Sequence, residues 1–190
     1  HLVKELTKTP LGEFRWFKLL GDARENYDKN GYEWTCEMLL DGKDKNVIEW
    51  MDMMEQKFFQ IHGENAKKST YWFNCFPDKD DDSKLVIKFK LPRFSRKDGS
   101  FSEGPSVMDA ERNQWPVSKE IGNGSKGFIA FDVFGWGGKG RTGAGMTLQP
   151  WKVMVVEHIA YEGGSMPADD EVFEKISGGF SVKEEEKIPF

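Results

Sequence analysis

The chain is short of the residues on which most metal and covalent chemistry depends. Its 190 residues include three histidines (His1, His62 and His158) and two cysteines (Cys36 and Cys75). Scattered so widely, they have no metal-ligand spacing, and nothing nominates a nucleophile beside a base. Neither a metal nor another cofactor is expected, and the chain reads as a non-enzyme. No apolar run approaches the roughly 18 residues of a membrane span, so no membrane contact is expected. The first residues lack the basic and apolar regions of a secretion signal. The cysteines are therefore expected to be reduced thiols, partly buried, in a cytosolic protein. Gly138-Lys-Gly140-Arg-Thr-Gly143 matches a dinucleotide fingerprint in spacing alone, since it joins two strands instead of opening a helix.

Aromatics, by contrast, are plentiful at 14%, and the length suits one domain. The formal net charge of −5 is unevenly spread. Residues 163–190 hold seven acids and three lysines, which leaves 25 acids and 24 bases on the other 162 residues. A near-neutral body, 1–162, thus precedes an acidic tail, 163–190. That asymmetry suits a DNA-binding body with an acidic arm.

Along the body, alternation marks several strands. Phe14, Trp16 and Lys18 share one face of an aromatic stretch and Arg15 and Phe17 the other; neither face is wholly apolar, so one of the two is expected to be exposed. After the turn at Asn30-Gly31, Tyr32 to Leu40 alternates as a half-buried strand with Trp34 on its inward set. Asp41 to Gly63 changes to a helical period, with Asp41 or Asp44 as cap and Val47, Ile48, Met51, Met54, Phe58 and Ile61 as the packing stripe. From Lys84, the residues Leu85, Ile87, Phe89 and Leu91 point inward and Lys88 and Lys90 outward. Arg93, Arg96 and Lys97 follow, with Phe94 and Phe101 nearby. Lys88 and Lys90 alone fit an ordinary solvated face. The continuation into Arg93, Arg96 and Lys97 makes a basic, aromatic-dotted surface.

The most unusual stretch is Phe128 to Glu157. It reads as a strand, a loop over Gly135 to Gly145 with six glycines, and a second strand. Trp136, Lys139 and Arg141 stand among those glycines. Such a loop is expected to be mobile. An aromatic plus two cations on its tip suits a flexible, anionic, base-bearing ligand, above all single-stranded nucleic acid. A solvated hairpin loop is the alternative.

Several strands of five to ten residues, one inserted helix and a glycine-tipped hairpin suggest a mostly β chain. The expected architecture is an OB-fold, a five-stranded partly open barrel. The order of landmarks resembles the single-stranded DNA-binding proteins of T7-like phages. These landmarks are Gly12-Glu-Phe14 with Trp16, Gly31-Tyr-Glu-Trp34, Leu40-Asp41, Ile87-Lys-Phe-Lys90 and Val107-Met-Asp109, then Ile121-Gly-Asn-Gly-Ser-Lys126, Val133 to Trp136, Gly143-Ala-Gly145 and Val153 to Glu157. The resemblance implies a protein that coats single-stranded DNA in replication and recombination in the cytoplasm of an infected bacterial host. It also implies help in annealing complementary strands.

Site residues nominated on this basis are Trp16, Lys18 and Trp34, then Lys88, Lys90, Arg93, Phe94, Arg96 and Lys97, and on the hairpin Trp136, Lys139 and Arg141. The tail is implied to recruit a polymerase or primase-helicase through Glu184, Glu185, Glu186, Ile188, Pro189 and Phe190. It departs from the family pattern in being shorter, less acidic and interrupted by Lys175, Lys183 and Lys187. Val172, Phe173, Ile176 and Phe180 have the alternative of a short helix packed on the body or on a second subunit, which would make a homodimer.

Two other classes compete. Trp16, Trp72 and Trp136 could serve a carbohydrate-binding OB module as stacking platforms. Asp78 and Asp80 to Asp82 could hold Mg²⁺ for phosphoryl transfer, though such charge runs are usually solvated loops.

Overall fold

The computed structural model describes residues 5–138, 143–161 and 169–182. The chain begins with β1 (Thr7–Lys8), β2 (Gly12–Lys18), β3 (Arg24–Glu25) and β4 (Tyr32–Asp41), followed by helix α1 (Lys45–His62). After it come β5 (Cys75–Pro77), β6 (Lys84–Pro92), β7 (Ser106–Asp109), β8 (Lys126–Gly137), β9 (Ala144–Glu157) and a short helix, α2 (Asp169–Val172).

The two best alternating stretches pair with each other. β4 and β6 run antiparallel from Glu33 opposite Pro92 to Asp41 opposite Lys84. This register sets Trp34 against Leu91, Cys36 against Phe89 and Met38 against Ile87, all of them buried. A one-residue slip of β6 would turn Lys88 and Lys90 into the core, so burial of one face fixes the register.

The sheet order is β5-β6-β4-β2-β8-β9-β7, with β1 added on β8 and β3 on β4. β7 joins β9 in parallel and the other strand pairs are antiparallel. β6 and β9 run alongside each other although they are not ladder partners. The long strands β2, β4, β6, β8 and β9 therefore curl into a partly open barrel of OB type. Phe14, Met38, Ile87, Phe89, Ile129, Phe131 and Met146 fill it.

Helix α1 is inserted between the second and third barrel strands, capped by the Asp44 carboxylate, which accepts the Asn46 amide at 2.7 Å. Its buried face is Val47, Trp50, Met54 and Phe58, while Ile48 and Ile61 remain exposed. The stripe expected from the sequence is thus rotated toward Trp50. That indole packs edge-on to Phe131 and donates its N–H to the Lys8 carbonyl at 3.1 Å, so its polar edge is satisfied within the core.

Both cysteines are free thiols. Burial raises both above the ordinary thiol range, Cys75 to about 12, with the neighbouring Glu37 carboxylate adding to the rise at Cys36. In the tail, Val172, Phe173, Ile176 and Phe180 are exposed. Glu184, Glu185, Glu186, Ile188, Pro189 and Phe190 lie outside the described residues. Among the described residues no helix is long and apolar enough to cross a membrane.

Candidate nucleic-acid interface

The outer face of β2, β4 and β6 carries two rows of polar side chains set by the ladder registers. In the first row, Arg15, Glu37 and Lys88 are cross-strand neighbours. Glu37 receives Lys88 Nζ at 3.6 Å and Arg15 Nε at 3.9 Å. The Arg15 guanidinium also donates to Asp78 at 3.0 Å. That bond holds the Asp78 carboxyl below its ordinary range. In the second row, Lys18, Thr35 and Lys90 are neighbours, and neither lysine has an ion-pair partner among the described residues. The first row is internally neutralised and the second is not.

Trp16 stands beside both rows because β2 does not alternate cleanly. Its pairing with β4 shifts between Arg15 and Lys18, and Trp16 adopts a φ of 48°, unusual for a bulky side chain. This bulge re-aims the indole, leaving Trp16 54% exposed where Phe14 is buried. The strained amide is held: Trp16 N–H donates to the Asn123 side-chain oxygen at 2.9 Å. The turn carrying Asn123 runs along β2, since Phe14 N–H donates to Ser125 O and Gly124 N–H donates to Phe14 O. Strain of this kind persists only where the surroundings over-determine it.

Trp16, Lys18, Thr35, Lys88 and Lys90 line one groove of about 410 Å³, with Glu33, Glu37 and Asn74 also on its walls. Beyond the end of β6, Arg93 is sandwiched between aromatic rings, its guanidinium carbon 4.3 Å from the Tyr32 centroid and 3.8 Å from that of Phe101. Phe94 is exposed beside it. Arg96 donates to the Phe101 carbonyl at 3.0 Å, and Lys97 sits exposed in the turn that follows.

The β8–β9 hairpin differs from the mobile loop expected of it. Pairing continues through Trp136 opposite Gly145 and Gly137 opposite Ala144, so Trp136 lies on a strand. Four of its described glycines are sites of close approach, among them Gly137, where a Cβ would meet the Gly143 carbonyl at 2.6 Å. A Cβ at Gly135 would meet Ile61 at 2.6 Å, one at Gly143 would meet the Ser69 backbone at 2.7 Å, and one at Gly145 would collide with the Trp136 ring. His62, at the end of α1, donates from Nε2 to the Gly145 carbonyl at 2.9 Å. The hairpin base is thus fastened to α1 and to the segment after it, where Ser69 N–H donates to Ala144 O. Trp136 remains 37% exposed with one side against Gly145. Lys139 and Arg141 lie outside the described residues.

No protein-family model matches the chain, and no curated protein matches it. Solved structures do. One is gp2.5, a single-stranded DNA-binding protein encoded by bacteriophage T7, with 20% identity and a TM-score of 0.62 over 95% of this chain and 100% of that one. Another is the single-stranded DNA-binding protein of bacteriophage Enc34 in complex with single-stranded DNA, with 12% identity and a TM-score of 0.61 over 82% of this chain and 88% of that one. Its DNA-free form aligns at 14% identity and a TM-score of 0.57, covering 86% of this chain and 88% of that one. The fold is that of phage single-stranded DNA-binding proteins.

On this OB barrel, the nominated residues divide cleanly. Trp16, Lys18, Lys88 and Lys90 share the groove. Arg93, Phe94, Arg96 and Lys97 cluster beyond the end of β6. Trp136 is separate, on the hairpin. Trp34 is withdrawn: it is 3% exposed and its indole N–H is spent on the Gly21 carbonyl at 3.0 Å, so no base can stack on it. Tyr32, which alternation sets on the same face as Trp34, is nevertheless exposed beneath Arg93 because it stands at the strand's end. Two of the four carboxylates weighed as a metal site are engaged elsewhere, Asp78 by Arg15 and Asp81 by Ser83. Among the described residues no cluster of three or more His, Cys, Asp or Glu could hold a metal ion.

Proposed function

We propose that this protein binds single-stranded DNA without enzymatic chemistry, coating it during phage replication and recombination in the cytoplasm of the infected host. One observation carries the reading. An OB barrel presents an aromatic, held outward by a strained and hydrogen-bonded bulge, beside Lys18 and Lys90, which no carboxylate among the described residues pairs. Bases have a face on which to stack and phosphates have counter-charges, with no base edge read. The likeness to a phage protein solved with single-stranded DNA supports the same ligand. Residues 1–162 act as the binding domain and 163–190 as an acidic arm that meets a polymerase or primase-helicase, or a second subunit.

The test is a titration of fluorescent oligo-dT at two salt concentrations with duplex DNA as competitor. Binding should weaken steeply with salt, because each neutralised phosphate contributes about −0.7 to the log–log slope. Duplex should compete poorly. Salt-indifferent binding would point instead to a neutral ligand such as an oligosaccharide.

A further inference from the structure

Trp16 lines a further groove besides the lysine groove. This second groove, of about 300 Å³, is lined by Trp16, Lys18, Leu20, Arg24, Ile121 and Tyr161, with Glu120 and Asn123 at its wall. Its size is at the small end for ligand pockets. Ile121 is buried and Leu20 half-buried, giving an apolar floor, whereas Tyr161 is 57% exposed and stands with Trp16 as an aromatic wall. Lys18 lines both grooves, and Arg24 adds a cation against Glu120, the one carboxylate on its wall among the described residues.

The walls are built by one hydrogen-bonded knot. Asn123 holds the Trp16 amide. Two residues on, Ser125 is buried, donating its hydroxyl to the Ile159 carbonyl at 3.2 Å and accepting the Ile159 amide at 2.9 Å. Gly122 N–H also donates to Ile159 O at 2.8 Å, and a Cβ at Gly122 would meet the Ala160 carbonyl at 2.5 Å. The turn that aims Trp16 therefore also fixes the chain just before Tyr161.

The geometry points to a nucleotide subsite here. A single strand that fills the lysine groove crosses Trp16 and places a further base between Trp16 and Tyr161, its phosphate facing Arg24 and Lys18. This rests on the proposed function, and it predicts that Trp16 is the crest of a two-part path, not the end of one.

The experiment compares oligo-dT of about 4 and about 12 nucleotides, bracketing the short and long site sizes of an OB-fold, on full-length wild type, Tyr161→Ala and Arg24→Ala. Tyr161→Ala should bind the long oligonucleotide about five- to a hundredfold more weakly and the short one as wild type does. Arg24→Ala changes only an exposed charge. It should flatten the salt slope for the long oligonucleotide by about 0.7 and leave the short one unchanged. Wild-type affinity of both variants for the long oligonucleotide would overturn the subsite while leaving DNA binding intact, and so would equal losses at both lengths. Failure of wild type to bind at any length would overturn the DNA reading itself, and the subsite with it.

Discussion

Trp16 and Trp136 are both exposed indoles, but different devices hold them. Trp16 is turned out by a bulge in β2, at the cost of a positive φ, and its amide is anchored to Asn123. Trp136 sits in regular pairing and lies against Gly145, a neighbour with no side chain to push it away. One indole is displayed by backbone strain, the other seated by a missing Cβ. A ring with a free surface beside lysines that have no ion-pair partner among the described residues can take a base. A ring with one side covered has less to offer.

Replacing each indole is the sharpest way to break that comparison. Trp16→Ala should weaken oligo-dT binding by about 1–3 kcal/mol, the range for one stacked base, with an unfolding transition close to wild type because the side chain is exposed. Trp136→Ala should fall at or below the low end of that range. A larger loss at Trp136 would reverse the assignment of the main stacking platform.

Gly145→Ala tests how Trp136 is seated. The new methyl collides with the ring, so urea denaturation should show a loss of about 1–3 kcal/mol, the scale of overpacking. In Gly145→Ala combined with Trp136→Ala most of that loss should disappear, since contacting residues couple. A neutral Gly145→Ala would mean that the indole is not packed there.

Asn123→Ala removes the acceptor of the Trp16 amide. About 1 kcal/mol of stability is at stake. DNA affinity should fall with it although Asn123 does not line the lysine groove, because the bulge loses its anchor. Unchanged affinity in a destabilised variant would show that the bulge holds its shape unaided.

Much of this was legible in the sequence. The alternation of Tyr32 to Leu40 and of Leu85 to Leu91 placed the core faces of β4 and β6, and with them the outward lysines. What stayed hidden had no periodic signature. The β2 bulge is a departure from alternation at Trp16, so period-two reasoning set it on the same side as Phe14 when the two point apart. Trp34 looked like a binding aromatic by type, yet its strand position had already placed it inward, and burial wins when the polar edge finds a carbonyl. The hairpin glycines suggested mobility because composition records the absence of a side chain but not the neighbour that requires it, here Ile61, Ser69 and Trp136. The demand for Trp50 in the helix face came from β1 and β8, far away in sequence.

The most direct test is also the smallest in size. Lys18 and Lys90 lack ion-pair partners among the described residues, whereas Lys88 is shared with Glu37. Oligo-dT affinity should be measured across a salt series for wild type, Lys18→Gln, Lys90→Gln and Lys88→Gln. Lys18→Gln and Lys90→Gln should each flatten the log–log slope by about 0.7, and Lys88→Gln by less. An unchanged slope at Lys18 and Lys90, or an equal change at all three lysines, would contradict a phosphate path along the Lys18–Thr35–Lys90 row.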